Sequence, residues 1–254
     1  MPIRPGDRVL FYIDPKRRFV QVIREGGILG TDKGFVRHEE VIGREIGEFV
    51  TTSKGVRVHL LRPLPVDFLA SMKRATQVIY PKDVSLITYL AGVAEGSKVL
   101  EGGVGTGHVT AVLAYLVGDS GKVYAVDIDE AKLRKAAENL ERLGLAKRVV
   151  FVKRDIREGV DERDFDASIL DIPDPWNAVK AVYDSLKSGS PLVAFLPTVN
   201  QVEKTVASMQ GLFVDIHVYE VLLREYIVSR EGTRPSPRMT GHTGYIVFGR
   251  KILP

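Results

Sequence analysis

Residues 98–109, KVLEGGVGTGHV, combine an acid, glycines and apolar residues at a spacing suited to binding a nucleotide-like ligand. Val99 and Leu100 are typical of a buried strand, and the apolar residues of 109–117 recur at helical spacing, so the glycines lie in the turn between strand and helix. Glycines let backbone N–H groups approach a ligand, and the start of a helix adds partial positive charge. The alternative is a glycine-rich turn without a ligand, and four glycines within six residues weigh against it.

The positions of these glycines decide which ligand class fits. A dinucleotide-binding loop needs a small residue where this chain has His108 or Thr110, and a P-loop needs lysine where His108 stands. The remaining pattern, E-x-G-x-G-x-G, resembles the first motif of S-adenosylmethionine-dependent methyltransferases. That cofactor carries a cationic sulfonium and no phosphate, so a carboxylate at the strand end is favourable. The cofactor-binding residues predicted here are Glu101, Gly103, Val104, Gly105, Gly107, His108 and Val109.

Two further acids come directly after predicted strands. Asp127 ends the strand predicted at 122–126, at the position where such folds bind a ribose hydroxyl. Asp155 follows the strand predicted at 149–152, and we assign it to the adenine of the cofactor; an ordinary loop acid is the alternative. Asp129 is expected instead to cap the helix that begins after it.

A fourth acid stands in a stiff loop. Asp171 follows the strand predicted at 167–170 and opens the sequence DIPDPW, whose two prolines remove two amide donors and restrict the backbone. Ligands of open α/β sheets bind beyond the carboxyl ends of the strands, so we expect Asp171 to face one. Trp176, at the end of this loop, is either a platform on which a base stacks or a packing residue at a helix start, and the second role is more common.

A polar segment separates the last two predicted strands, at 213–222 and 246–248. It covers residues 234–245 and contains Arg234, Arg238 and His242. Long loops in compact domains are usually functional, and arginines suit contacts to phosphate groups. A disordered hairpin tip is the alternative.

The elements that must position these residues fall into two groups. From Lys98 onward strands and helices alternate, among them a helix predicted at 199–209. This predicts an α/β fold with a doubly wound, Rossmann-like sheet of the class I methyltransferase type, in a catalytic domain over 64–254. Residues 1–63 contain short β-rich runs, at 8–13, 19–23, 35–38 and 56–61, separated by turn signals, which predicts a small all-β accessory domain. Between them we expect two helices, with Pro81 keeping Tyr80 extended and Asp83 or Ser85 capping the second helix.

Composition narrows the function classes. The chain has 254 residues and no cysteine, which excludes disulfides, thiolate metal sites and a cysteine nucleophile. The five histidines show no paired metal-ligand spacing, so we expect no metal. There is no apolar run of membrane length and no signal-peptide pattern, which predicts a cytoplasmic protein without a membrane partner.

The positive charge is unevenly distributed. Residues 1–63 hold twelve Lys and Arg against eight Asp and Glu, whereas 64–254 hold 24 of each. A basic accessory region on a neutral enzyme fits an acidic partner such as RNA. A surface that is positive by chance is the alternative.

Several stretches together resemble the tRNA (adenine-N1)-methyltransferases that modify the T-loop around position 58. They are the N-terminal β region, the glycine loop, and the segments QVIYPKD (77–83), DIPDPW (171–176) and MTGHTGY (239–245). The resemblance implies S-adenosylmethionine as methyl donor, tRNA as substrate and a homotetramer, and archaeal members also methylate position 57.

The resemblance also implies roles for single residues. Carried over by motif, Asp171 contacts the target adenine and the cofactor, Tyr80 and His242 help to hold the base, and Gln77 lies near the methyl donor. Asp127 and Asp155 match the cofactor acids.

Three other functions stay open from sequence alone. A methyltransferase acting on a protein or small molecule would share the glycine loop, but it would not need the basic N-terminal region. A nucleic-acid-binding protein that has lost turnover would keep the fold. An NAD-linked oxidoreductase ranks last, because neither glycine frame is complete.

Overall fold

The computed structural model describes residues 2–72 and 78–253, and its N-terminal part is built from short strands. They are β1 (Arg8–Asp14), β2 (Arg17–Val22), β3 (Ile28–Thr31), β4 (Gly34–Arg37), β5 (Phe49–Thr51) and β6 (Arg57–Leu61). β2, β1, β6 and β5 form an antiparallel sheet in that order, and β3 pairs with β4 in a separate hairpin. The sequence predicts β1, β2, β4 and β6 but not β3 or β5. Gly30, which indicates a turn in the sequence, lies within β3, and the three residues of β5 are too few to show alternation.

The N-terminal sheet contributes to two hydrophobic cores. Val9 and Phe11 of β1 are fully buried in the core of the β region itself. Leu10, which points to the opposite face, packs with Val20 into the core shared with the following helices. The domain boundary predicted at residue 63 lies between β6 and the first helix and stays a prediction.

The rest of the chain alternates helices and strands, as the sequence predicts. The elements are α1 (Pro65–Ser71), α2 (Pro81–Leu90), β7 (Lys98–Gly102), α3 (His108–Leu116), β8 (Lys122–Asp127), α4 (Glu130–Arg142), β9 (Val149–Lys153), β10 (Ala167–Leu170), α5 (Val179–Ser185), β11 (Pro191–Leu196), α6 (Val199–Met209), β12 (Phe213–Tyr219), β13 (Tyr226–Ser229), β14 (Gly232–Pro235) and β15 (Tyr245–Lys251). Within the described ranges, no helix is long and apolar enough to span a bilayer.

Seven strands form the large sheet, in the order β12-β15-β11-β10-β7-β8-β9. The five strands from β11 to β9 are parallel, and β15 runs antiparallel to both β11 and β12. The doubly wound fold is therefore confirmed. The chain moves outward from β7 to β8 and β9 and then returns to β10 on the other side of β7. Such a reversal opens a crevice at the carboxyl ends of the two central strands, where ligands bind.

Helices cover both faces of this sheet because successive strand residues point to opposite sides. On β7, Val99 packs into the core with α1, α2 and α3, and Leu100 packs into the core with α5 and α6. The two layers hold β7 and β10 rigidly between them, so the loops that follow these strands have fixed starting points.

Two helix starts test the predicted caps. Asp129 accepts hydrogen bonds from the N–H groups of Ala131 and Lys132, which confirms its capping role for α4. Tyr80 is extended before α2, as Pro81 predicts, but no side chain of the described residues caps that helix. The predicted caps Asp83 and Ser85 are therefore wrong: Asp83 is fully buried in other contacts, and the Ser85 hydroxyl donates to the Lys82 carbonyl.

The segment after β12 also differs from the prediction. The strand expected over 213–222 ends at Tyr219, and the hairpin of β13 and β14 occupies part of the predicted loop. Its residues are almost entirely exposed, so the pattern of burial that reveals a strand in sequence is absent. Residues 236–244 contain no helix or strand.

Candidate active site

The glycine loop and the Asp171 loop meet at the crevice between β7 and β10. The Asp171 N–H donates to the Gly102 carbonyl at 2.8 Å. Gly103 has φ +89°, and a Cβ there would lie 2.0 Å from the Asp171 carbonyl oxygen. Glycine is required at 103 both by backbone conformation and by this contact. Gly107 has another neighbour, since a Cβ there would lie 2.9 Å from Cβ of Ala136 in α4.

A cavity of about 170 Å³ opens at this crevice. Its lining includes three of the predicted acids, Asp127, Asp155 and Asp171, together with Gly103. A larger cavity of about 700 Å³, next to Arg8 and Tyr115, contains none of the predicted site residues. The chemistry therefore identifies the smaller cavity as the candidate site.

Asp127 is 8% exposed and organises the glycine loop. One carboxylate oxygen accepts from the N–H groups of Val104, at 3.0 Å, and Gly105, at 3.4 Å, and the other accepts from the Asp129 N–H at 2.9 Å. A carboxylate has about four acceptor positions, so one remains for a ligand hydroxyl. Asp127 thus shapes the loop and still fits the predicted ribose contact.

Glu101 lies behind the glycine loop with 1% of its surface exposed. Neither of its carboxylate oxygens has a hydrogen-bond partner among the described residues. Burial raises the pKa of Glu101 to about 8, and the charges of Asp171 and Asp127 add to the rise. The Thr110 hydroxyl lies near enough to lower this pKa in part, but its geometry is not that of a hydrogen bond. An unpaired buried carboxyl next to a glycine loop suits a cationic ligand, so these residues fit S-adenosylmethionine.

Asp155 borders the cavity but is already paired. Arg157 binds it through two parallel hydrogen bonds, Nε to Oδ1 at 2.8 Å and Nη2 to Oδ2 at 2.6 Å, and lowers the pKa of Asp155. The same guanidinium donates to Asp174 at 2.9 Å, so it joins the loop after β9 to the DIPDPW loop. Arg157 was missed in the sequence, where nothing distinguishes it from other surface arginines.

Asp171 is presented differently. No hydrogen bond or ion pair links its carboxylate to another described residue. The residue is open to the cleft, yet surrounding protein atoms remove part of its water and raise its pKa to about 6; the charge of Lys132 lowers this pKa and that of Asp127 raises it. Its loop is anchored further along, where Gln201 of α6 donates to the Pro173 carbonyl at 2.8 Å. A rigid loop thus offers a carboxylate with free acceptor positions.

His242 lies at the same edge of the sheet. Its Nε2 donates to the carbonyl of Pro197, just after β11, at 3.0 Å, and its Nδ1 contacts Glu220 Oε1 at 2.5 Å. Acceptors on both nitrogens favour the imidazolium, and the Glu220 carboxylate is the main reason that the pKa of His242 is raised. Because both nitrogens are engaged, the ring face is what remains for a base; the Tyr245 ring centroid lies 4.9 Å away.

Tyr80 is 41% exposed and follows Ile79, whose carbonyl oxygen lies 3.1 Å from Nδ1 of His108. This contact connects the Tyr80 segment to the first residue of α3, directly after the glycine loop. Tyr80 therefore starts from a backbone tied to the cofactor loop.

The other predicted cofactor residues have buried side chains. Val104, His108 and Val109 are 4%, 3% and 6% exposed, so contacts to a ligand from these positions would come from the backbone. Gln77 lies outside the described residues. Trp176 is half-buried and has Lys204 Nζ 4.9 Å from its ring centroid, which favours packing on α6 over base stacking. No cluster of possible metal ligands occurs in 2–72 or 78–253.

Comparisons with known proteins show which proteins this chain is similar to. The sequence profile described as tRNA methyltransferase complex GCD14 subunit matches residues 56–233, and the one described as TrmI-like N-terminal matches residues 2–50. A curated relative from Methanocaldococcus jannaschii, named tRNA (adenine(57)-N(1)/adenine(58)-N(1))-methyltransferase TrmI, is 37% identical over 87% of this chain and 87% of its own length.

Two solved structures are similar over the whole of this chain. A Thermotoga maritima protein described as a SAM-dependent O-methyltransferase has a TM-score of 0.83 and 40% identity, covering 100% of this chain and 96% of the other. The Aquifex aeolicus tRNA (m1A58) methyltransferase TrmI has a TM-score of 0.78 and 31% identity over 100% of both chains. The chain therefore belongs to the family of tRNA (adenine-N1)-methyltransferases.

Proposed function

We propose that this protein transfers a methyl group from S-adenosylmethionine to N1 of adenine in the T-loop of tRNA, at position 58 or at positions 57 and 58. The names of the relatives support the substrate, and the Methanocaldococcus relative is named for both positions. The observation that carries the proposal is the unpaired carboxylate of Asp171, which stands beside the glycine loop at the sheet crevice.

The cofactor residues act by binding and orientation. S-adenosylmethionine, when bound, supplies a methyl group on a cationic sulfur. Glu101 and the glycine loop suit its positive end, Asp127 suits the ribose, and Asp155 borders the position assigned to adenine. Methyl transfer is an in-line displacement, so the protein accelerates it mainly by aligning the acceptor atom and excluding water.

Asp171 acts on the acceptor base. Adenine N1 attacks with its lone pair and becomes positively charged as the new bond to the methyl carbon forms and the carbon–sulfur bond breaks. A carboxylate that accepts a hydrogen bond from the neighbouring N6–H stabilises this charge. The N1 edge is buried inside folded tRNA, so the base must first leave its stack. Tyr80 and the His242 ring face then hold it.

The remaining expectations are part of the same proposal. The basic residues 1–63 form an accessory domain that contacts RNA, and the enzyme works as a homotetramer in the cytoplasm. Exposed apolar side chains after β12, including Leu222, Leu223, Tyr226 and Val228, support self-association, because a monomer rarely leaves so many together in water. Relatives from Dictyostelium discoideum and Candida albicans are named catalytic subunits.

The test is to incubate the protein with labelled S-adenosylmethionine and unmodified tRNA and to map the labelled nucleoside. We expect label on N1 of adenine, and its loss when guanine replaces the T-loop adenines. Label on a hydroxyl oxygen, the acceptor that the description of the Thermotoga relative indicates, or on protein instead of RNA would overturn the proposal.

A further inference from the structure

A buried polar cluster joins the start of α2 to the segment before β15. Lys82 Nζ donates to Asp83 Oδ1 at 2.8 Å and to Thr243 Oγ1 at 2.5 Å, and the Thr243 hydroxyl donates to Asp83 Oδ2 at 2.7 Å. The third Lys82 proton goes to the carbonyl oxygen of Val221 at 2.7 Å. We propose that these three side chains, called here the latch, position Tyr80 and His242 relative to each other for methyl transfer. The proposal rests on the proposed function.

The latch is closed and satisfied. Asp83 is fully buried, and the Lys82 side chain is only 8% exposed. An ammonium has three donors, and all three are used, while both oxygens of the Asp83 carboxylate accept a bond. A hydrogen-bond network whose donors and acceptors are all used is rigid. Removing one member leaves a polar atom of the other two side chains without its partner.

One end of the latch fixes Tyr80. The Tyr80 carbonyl accepts hydrogen bonds from the N–H groups of Asp83, at 2.9 Å, and Val84, at 3.0 Å, in the first turn of α2. Any shift of Asp83 therefore moves the backbone from which the tyrosine ring extends.

The other end fixes His242. Thr243 follows His242 in the chain, and Val221 follows Glu220, the carboxylate that holds the imidazole ring. Lys82 thus binds the neighbour of each member of the Glu220–His242 pair, and its charge also lowers the pKa of His242 against the effect of Glu220. The latch connects both proposed base-holding residues through its hydrogen bonds.

The latch does not line the cofactor cavity. Lys82 borders a different, largely apolar groove of about 460 Å³, next to Leu223. Its three side chains are positioning residues, because they act through Tyr80 and His242.

The test replaces the Thr243 hydroxyl by a methyl group of similar size. For Thr243→Val we expect a fall of about tenfold in single-turnover methyl transfer to tRNA, since small displacements of an aligned base are costly. Affinity for S-adenosylmethionine should stay within about twofold, because the cofactor cavity is untouched. Thr243→Ser, which keeps the hydroxyl, should restore most of the rate.

Thr205→Val is the matched control. Thr205 is fully buried, and its hydroxyl donates to a backbone carbonyl within α6, that of Gln201, at 2.8 Å. Equal rates for Thr243→Val and Thr205→Val would overturn the proposal. Should Thr243→Val fail to fold, Thr243→Ala against Thr243→Ser makes the same comparison, because only serine keeps the hydroxyl.

A double-mutant cycle with His242→Ala separates positioning from general stability. If the latch acts through His242, adding Thr243→Val to His242→Ala should lower the rate by less than about threefold. If the fold losses of the two single variants multiply in the double variant, the latch does not act through His242. Wild-type protein that leaves tRNA unlabelled would refute the proposed function itself. If the wild-type protein is active and Thr243→Val has the same rate, only the latch is refuted.

Discussion

Two acids on the cofactor side of the crevice, Asp127 and Asp155, are held differently from Asp171 on the other side. On the side predicted to bind the cofactor, Asp127 accepts three backbone N–H groups and Asp155 is paired with Arg157. On the side predicted to bind the target base, the Asp171 carboxylate has no such partner in the described chain. The first group of acids builds the site, and the single acid opposite is left open for a substrate.

The difference shows how a carboxylate can be both fixed and available. Hydrogen bonds to its oxygens would hold Asp171 still, but they would use the acceptor positions that a base needs. The protein holds the backbone instead, through two prolines, the Gln201 bond to Pro173 and the close contact with Gly103. Rigidity and free acceptor positions therefore come from different atoms.

The largest effect is expected for Asp171→Ala. We expect methyl transfer to tRNA to fall by about a hundredfold or more, the scale of losing one electrostatic stabiliser, while the dissociation constant for S-adenosylmethionine changes by about twofold at most. Single-turnover rates and calorimetric titrations measure the two quantities. Full activity in this variant would remove Asp171 from the mechanism and end the comparison.

Gly103→Ala tests the contact between the two sides. Its Cβ would lie 2.0 Å from the Asp171 carbonyl oxygen, so we expect losses of about tenfold or more in both cofactor affinity and methyl transfer. Gly189→Ala is the control, because Gly189 also has positive φ, +77°, but nothing lies within 4 Å of its Cβ position. If both variants behave alike, backbone conformation and not the contact matters at 103.

Asp127→Asn should change mainly the KM for S-adenosylmethionine, whereas Asp171→Asn should change mainly kcat. The amide cannot accept on both sides, so one of the loop bonds is lost and the KM for S-adenosylmethionine should rise by about tenfold, with a smaller change in kcat. For Asp171→Asn the loss should appear mainly in kcat. Steady-state kinetics with each substrate varied in turn decide this, and equal profiles for the two variants would contradict the division of roles.

The pH dependence follows from the raised pKa of Asp171, about 6. The carboxylate is the form that accepts the N6–H bond, so kcat/KM for tRNA should fall about tenfold for each pH unit below 6, whereas an ordinary aspartate would hold its activity down to about pH 4. The residual activity of Asp171→Ala should lack this step. A wild-type profile that is flat between pH 5 and pH 7 would be incompatible with the proposed role.

The smallest signal should come from Glu101, on the cofactor side. With a pKa of about 8 the carboxyl is mostly protonated at pH 7, and a cationic ligand beside it lowers that pKa. Binding of S-adenosylmethionine at pH 7 should therefore release close to one proton, measured by calorimetry in buffers of different ionisation enthalpy. Glu101→Gln should release none, and proton release unaffected by this substitution would assign it to another group.

Much of the fold could be predicted because its signals are local. The bounds predicted for β10 and α6 match the structure, since apolar periodicity is a property of neighbouring residues. β3, β5 and the β13–β14 hairpin were missed, because short or fully exposed strands carry no such pattern.

The amino-acid sequence by itself determined that Asp127, Asp155 and Asp171 lie at one edge, because parallel strands end on the same side of a sheet. Only the tertiary structure decided which of them is free. Arg157 reaches Asp174 across 17 positions of sequence, and Thr243 reaches Asp83 across 160. Such pairings depend on where distant segments pack, and no local pattern records the partner that a side chain will meet.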